Sequence, residues 1–136
     1  MKRVVTTVCL LIVAMFLAVS CSSNKPGRRA VEFNKLINKN KLVEAVEFVH
    51  IEAADSIEAA SKKAEALKII EEKIASRYAQ KGGIRRFKIS KERHLTDDSY
   101  YVEISLKYRD RTIEKTRDTY VLGNDGVWRA TLEYFY

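Results

Sequence analysis

The stretch Tyr78-Ala79-Gln80-Lys81-Gly82-Gly83-Ile84-Arg85-Arg86-Phe87-Lys88-Ile89 decides the fold, because the spacing of apolar residues changes within it. Before Gly82 they recur every three or four residues, the period of a helix. After Gly83, Phe87 and Ile89 alternate with basic residues, the period of a strand. Gly82-Gly83 between them is a helix stop. The residues leading up to this point read as helix and those following it as strand, which makes the fold class α+β.

Working back from Tyr78, Ile57, Ala60, Ala64, Leu67, Ile74 and Tyr78 mark one stripe, and Asp55 can cap the helix with Glu58 returning three residues later. A stripe of about three heptads, half of it Ala or Tyr, suits packing on a sheet better than a coiled-coil seam. Two shorter helices precede it. Ala30, Phe33, Leu36 and Ile37 pattern the first, from Arg28 to about Asn38, and Leu42, Ala45, Val46 and Val49 pattern the second. Working forward, a first strand runs from Ile84 to Glu92. In the second, Val102, Ile104, Leu106 and Tyr108 alternate with Tyr101, Glu103, Ser105 and Lys107, as in a half-buried antiparallel strand. Arg109-Asp110-Arg111 turns into a strand ending at Leu122, and Gly123-Asn124-Asp125-Gly126 is the clearest turn in the protein. The last strand carries Trp128, Ala130, Leu132 and Tyr134 on one face. The expected architecture is about three helices packed across one side of a curved four-stranded antiparallel sheet.

The N-terminus has a different character. Lys2 and Arg3 precede an apolar run from Val4 to Val19, broken by Thr6 and Thr7, and the run exits through Ala18, Val19 and Ser20 to Cys21. That is the layout of a secretory signal. At about sixteen residues the run is short of the roughly twenty needed to span a bilayer as a helix, which argues against an uncleaved anchor. Leu17-Ala18-Val19-Ser20-Cys21 resembles a bacterial lipobox, with the Leu one place early and Val19 in an unusual position. The resemblance implies cleavage before Cys21 and acylation of that residue, palmitate included. Ser22, where Asp would retain the protein at the inner membrane, implies sorting to the outer membrane, facing the periplasm. The expected division is a signal peptide over 1–20, a lipidated Cys21 with a flexible tether over 21–27, and a single domain over 28–136.

Cysteine usage agrees. Cys9 would leave with the signal and Cys21 would carry lipid, so neither a disulfide nor a thiolate metal site is expected. Loss of Lys2 and Arg3 lowers the net charge from +7 to +5. Lys25, Arg28 and Arg29 lie close enough to the lipid to add attraction to anionic headgroups. The remaining basic residues alternate with acidic ones, which reads as a solvated surface, and nucleic acid is not an expected partner.

Three signatures follow the lipobox in order: Gly82-Gly83-Ile84, the alternating Tyr101–Tyr108 strand, and Asp125-Gly126-Val127-Trp128-Arg129. From Arg28 to Leu132 the sequence resembles small bacterial lipoproteins of unknown function with a nuclear-transport-factor-2-like (NTF2-like), or cystatin-like, domain, sometimes described as lumazine-binding-like. The resemblance implies a cone, with the sheet curled around the long helix and often an apolar pocket at the open end. That superfamily hosts isomerases, dehydratases, transport factors and plain binding or dimerisation modules, so fold does not decide function.

Few residues offer chemistry. His50 reads as a helix-terminal histidine favoured by the dipole, His94 as an exposed loop residue and Asp97-Asp98 as a turn. Two histidines so placed do not make a metal site. Asp118 shares a side with Tyr120 and Leu122, and facing the cone it would be a buried base with a raised pKa. Glu114 and Thr116 lie on that side too, which favours a solvated face. The candidate pocket or interface comprises Tyr78, Val102, Ile104, Leu106, Tyr108, Trp128, Leu132 and Tyr134, with Trp128 in the core beneath the helix stripe. With no catalytic cluster and no cofactor expected, the reading is a non-enzymatic module for a small apolar ligand or an envelope protein. The alternatives are an isomerase or dehydratase using Asp118 or His50, and a structural subunit forming a homodimer through its sheet.

Overall fold

The structure, a computed structural model, describes residues 24–133. The expected signal segment, Cys21 and Tyr134 lie outside the described residues. Pro26, at the first helical position where its missing N–H costs nothing, opens α1 (Pro26–Asn38). This helix buries Ala30, Phe33, Asn34 and Ile37. After a turn through Asn40 comes α2 (Leu42–Val46). Asp55 then caps α3 (Ser56–Ile69), its carboxylate accepting from the Glu58 N–H at 2.8 Å. The Glu58 side chain returns to the Ala54 N–H at 3.1 Å. One helix continues through a π-helical segment (Ile70–Ala75) into α4 (Ser76–Gln80).

The buried stripe of this long helix differs from the expected one. Ile57 is 81% exposed, and Ala60 and Ala64 are exposed as well. The residues that enter the core are Ala66, Ile70, Ile74 and Tyr78, each four residues from the last. In an α-helix such a stripe rotates by about 40° per step, since four residues turn about 400°. The wider π winding turns less per residue and offsets the drift, which keeps all four on the sheet. Gly82 and Gly83 end the helix at φ of 79° and 87°, a left-handed conformation that suits glycine. From there the Gly83 N–H donates to the Tyr78 carbonyl at 2.9 Å and its carbonyl accepts from Arg109 at 3.0 Å.

Four antiparallel strands follow in the order β1-β2-β3-β4: β1 (Ile84–Thr96), β2 (Ser99–Tyr108), β3 (Ile113–Leu122) and β4 (Trp128–Ala130). β1 runs past the expected end at Glu92, and β4 stops early because Leu132, at φ 56°, turns the backbone out of the sheet. The segment after α2 covers the outer edge of β4. Val49 pairs with Ala130 in parallel, with His50 N–H to Ala130 carbonyl and Ala130 N–H to Phe48 carbonyl both at 2.7 Å. The helices pack on the inner face of the sheet, where Val102, Ile104, Leu106 and Tyr108 are all within 2% of full burial. The fold is therefore the expected α+β arrangement of three helices on a curved four-stranded sheet.

The described part of the expected tether, residues 24–27, is fixed in the structure. Asn24 donates to the Gly126 carbonyl at 2.6 Å and accepts from the Trp128 N–H at 3.4 Å, and the Arg29 guanidinium donates to the Trp128 carbonyl at 3.0 Å. Residues 24–27 are thus fastened to the β3–β4 turn, because Pro26 and Gly27 start a helix rather than a loop.

Candidate functional site

The register of β2 on β3 decides which side chains meet inside the cone. Val102 lies opposite Asp118, Ile104 opposite Thr116 and Leu106 opposite Glu114. Directly opposed residues share a face, so Glu114, Thr116, Asp118 and Tyr120 all point toward the helices. The solvated-face reading of this side of β3 is corrected by that register: Asp118 is only 8% exposed and Tyr120 1%. Four inward polar or aromatic residues on one strand line the cone rather than face water.

At the β2–β3 hairpin end, a cleft of about 270 Å³ opens between the long helix and the sheet. Its apolar walls are Ile74 and Tyr78 from the helix and Leu106 and Tyr108 from β2, and Lys73, Arg77, Glu114, Lys115, Thr116 and Arg117 complete the lining. Glu114 stands at its mouth, accepting from the Arg77 guanidinium at 2.8 Å and from the Lys81 ammonium. Burial pushes the Glu114 carboxyl up, but the bonds from Lys81 and Arg77 more than offset this and hold it below its ordinary value. The Tyr108 hydroxyl, 3.5 Å from Glu114, is pushed up to about 12 by burial and then by the carboxylate charge.

The cleft floor, at Ile74 and Thr116, adjoins a second, much smaller void of about 10 Å³. This void is bounded by Asn34, Asp118 and Tyr120, and has room for about one water among polar groups. Asn34 is held by donating to the Ala30 carbonyl at 2.8 Å, and accepts from the Tyr78 hydroxyl at 2.5 Å. Asp118 accepts from the Thr119 N–H at 2.8 Å, from the Thr131 hydroxyl at 3.2 Å and from the Leu132 N–H. Burial dominates these bonds and raises its pKa to about 7. Burial likewise lifts the hydroxyls of Tyr78 and Tyr120 well above the ordinary tyrosine value. A carboxyl poised near neutrality beside a polar void can take up or release a proton at physiological pH.

The other sequence candidates lie elsewhere. Val102 and Ile104 wall the small void rather than the open cleft. Leu132 is buried, and its left-handed turn brings its N–H to Asp118. Trp128 is half-buried at the opposite end of the sheet, edge-on to Tyr100 at 6.0 Å, rather than in the core beneath the helix stripe. Its place at the sheet end follows from the short β4. His50 does not end α2, which stops at Val46. It lies in the extended segment beside β4, 3.2 Å from Glu52, and lines a separate broad groove with Arg129 and Asp125. Asp118 and His50 are therefore not brought together. No group of three His, Cys, Asp or Glu residues is arranged for a metal among the described residues. Asn34, Arg77, Lys81 and Glu114 belong to the site and are not candidates from sequence. Only Glu114 carried a signal, its parity with Asp118.

No protein-family model and no curated protein matches this sequence. Among solved structures, it is similar to a Campylobacter jejuni protein described as a "Putative NTF2-like transpeptidase", with a TM-score of 0.67 at 14% identity over 80% of this chain and 99% of that one. The fold is NTF2-like. In this setting the cleft and the void beneath it occupy the interior of the cone, between the long helix and the inner face of the sheet.

Proposed function

We propose that the protein is a lipid-anchored envelope component, held at the outer membrane through Cys21, whose NTF2-like domain binds a small ligand with an apolar body in the cleft. The observation that carries this is the open cleft of about 270 Å³ walled by Ile74, Tyr78, Leu106 and Tyr108. Its volume lies just below the usual range for small-molecule sites, and its four apolar or aromatic side chains stand beside Glu114, Thr116 and four basic residues, which suits a ligand with an apolar body and an anionic group. Asn24 is fastened to the β3–β4 turn, whereas the cleft opens near the β2–β3 hairpin. The two ends are separated by roughly 26 Å along β3, at about 3.3 Å per residue from Glu114 to Leu122. The anchor and the cleft mouth would therefore lie toward opposite ends of β3.

The transpeptidase name of the structural neighbour is not carried over, because the cleft lining offers Thr116 but no cysteine or serine as an acyl-transfer nucleophile. Arg86, Lys88, Lys91 and Arg93 of β1 and Lys115 and Arg117 of β3 share the outer face of the sheet, and their like charges weigh against a homodimer through it. Native mass spectrometry of the protein purified from membranes tests both parts of the proposal. It should show an acylated Cys21 and a non-covalent small molecule that is lost in Thr116→Phe, which fills the cleft floor. An unmodified Cys21 would remove the anchor. A wild-type protein without ligand, or a filled variant that retains it, would remove the cleft reading.

A second reading is favoured by Asp118. Its raised pKa and the adjoining void suit a general base of the isomerase or dehydratase type. In deuterium oxide, wild-type protein would then exchange a carbon-bound proton of the released ligand, and Asp118→Asn would not. Absence of exchange with the wild type removes this reading and leaves the binding module.

A further inference from the structure

The charge alternation along β1 and β3 is not a mixed surface. In a strand, alternate residues point to opposite faces, so alternating signs become segregated signs. Arg86 lies opposite Lys107, Lys88 opposite Ser105, Lys91 opposite Glu103 and Arg93 opposite Tyr101 on the outer side of β1 and β2. Lys115 and Arg117 extend that face across β3, opposite Ser105 and Glu103. Seven Lys and Arg residues thus share the face that no helix covers, and all except the half-buried Lys107 are exposed. Glu103 is the acid among them. It is buried to 8% exposure and already engaged by Ser90 at 2.9 Å, Arg117 at 3.2 Å and Lys115 at 3.8 Å. Glu133 stands at the margin, against Thr119. Among the described residues, Arg86, Lys88, Lys91, Arg93 and Lys107 form no ion pair with a carboxylate.

We infer that this outer face is a docking surface for anionic phospholipid headgroups, pressing the sheet against the bilayer that holds the protein. The inference rests on the lipid-anchor reading for its geometry. Cys21 is three residues from Asn24, at most about 10 Å of extended backbone, and Asn24 is bonded to the β3–β4 turn. A tether that short keeps one end of the sheet beside the headgroups, so docking of the face is an intramolecular event at high effective concentration. The face is broad and uncovered, with charges set by strand spacing, which matches a planar array of headgroups rather than one small anion. Each Lys or Arg near an anionic surface multiplies partitioning on the order of fivefold, and the effect decays within about 8 Å at physiological salt. Ile113, 63% exposed on the same face, adds an apolar contact at the hairpin end.

The test uses the full-length protein purified from membranes and reconstituted in two kinds of vesicle, phosphatidylcholine alone and phosphatidylcholine with phosphatidylglycerol. Amine acylation rates are read residue by residue by mass spectrometry. The expected result is several-fold protection of Lys88, Lys91 and Lys115 on the phosphatidylglycerol vesicles only, with Lys35 and Lys68 on the helices unchanged. High salt should abolish the protection, and Lys88→Glu with Lys91→Glu should remove it from Lys115. Equal rates on both vesicles overturn the inference. So does protection by soluble polyphosphate without protection by vesicles, which would assign the face to an anionic polymer. The same spectra report whether Cys21 is acylated, so failure of the anchor and failure of the docking face are read separately.

Discussion

The two faces of β3 share ten consecutive residues and have opposite characters. Inward, Glu114, Thr116, Asp118 and Tyr120 meet the long helix, and the two acids there are held by specific partners or kept from water. Outward, Lys115 and Arg117 join a basic field whose one embedded acid is already paired. The same alternation that suggests an even mixture of charge on a solvated surface places a proton-binding group inside the cone and a layer of cations outside it. Charge sign along a strand has to be read with strand parity, as hydrophobicity is.

The contrast can be broken first by truncation. Ile104→Ala on the inner face should cost about 2–5 kcal/mol in urea unfolding, the range for large-to-small core changes. A loss much below that would mean that the inner face is loosely packed. The next largest effect is in pH dependence. An aspartate in the unfolded state titrates near 3.9, and Asp118 in the fold near 7. The folded state therefore holds the extra proton between those values, and stability is greatest below the unfolded value and falls as pH rises through 7. The full span is on the order of 4 kcal/mol. Asp118→Asn should flatten that fall, as read from melting midpoints between pH 5 and pH 8; an unchanged slope would place Asp118 in water.

Glu114 has the opposite sign. Its pKa is depressed, so its stabilisation is present at neutral pH and is lost as acid protonates it. Glu114→Gln should lower the melting midpoint at pH 7 and converge with wild type in acid. The smallest effect belongs to the outer face, where Lys88→Ala should change stability by no more than about 0.5 kcal/mol. A larger loss would mean that the cations serve the fold rather than a partner.

Much of the architecture was legible because periodicity carries it. The change of period at Gly82-Gly83, the Asp55 cap and the turn at Gly123–Gly126 each have a local physical cause. The stripe of the long helix was not legible in the same way. A repeat of four residues fits neither helix nor heptad, and it becomes a single face only through the π segment at Ile70–Ala75. The site was half legible. Tyr78, Leu106 and Tyr108 are apolar positions of correct parity, but Asn34 meets Tyr78 across 44 residues of sequence, and no local pattern announces such a contact. Asp118 was visible as a candidate, and its neighbours Glu114 and Thr116 made its side look wet. Only the pairing with Val102, Ile104 and Leu106 shows that this side is the interior.

The most direct measurement is titration of the Asp118 carboxyl group by carbon-13 NMR. The expected midpoint is about 7, with Tyr120 resonances shifting in the same transition. A midpoint in the ordinary aspartate range, with Tyr120 unmoved, would show that the inner face of β3 opens to solvent and that the cone holds no protected acid.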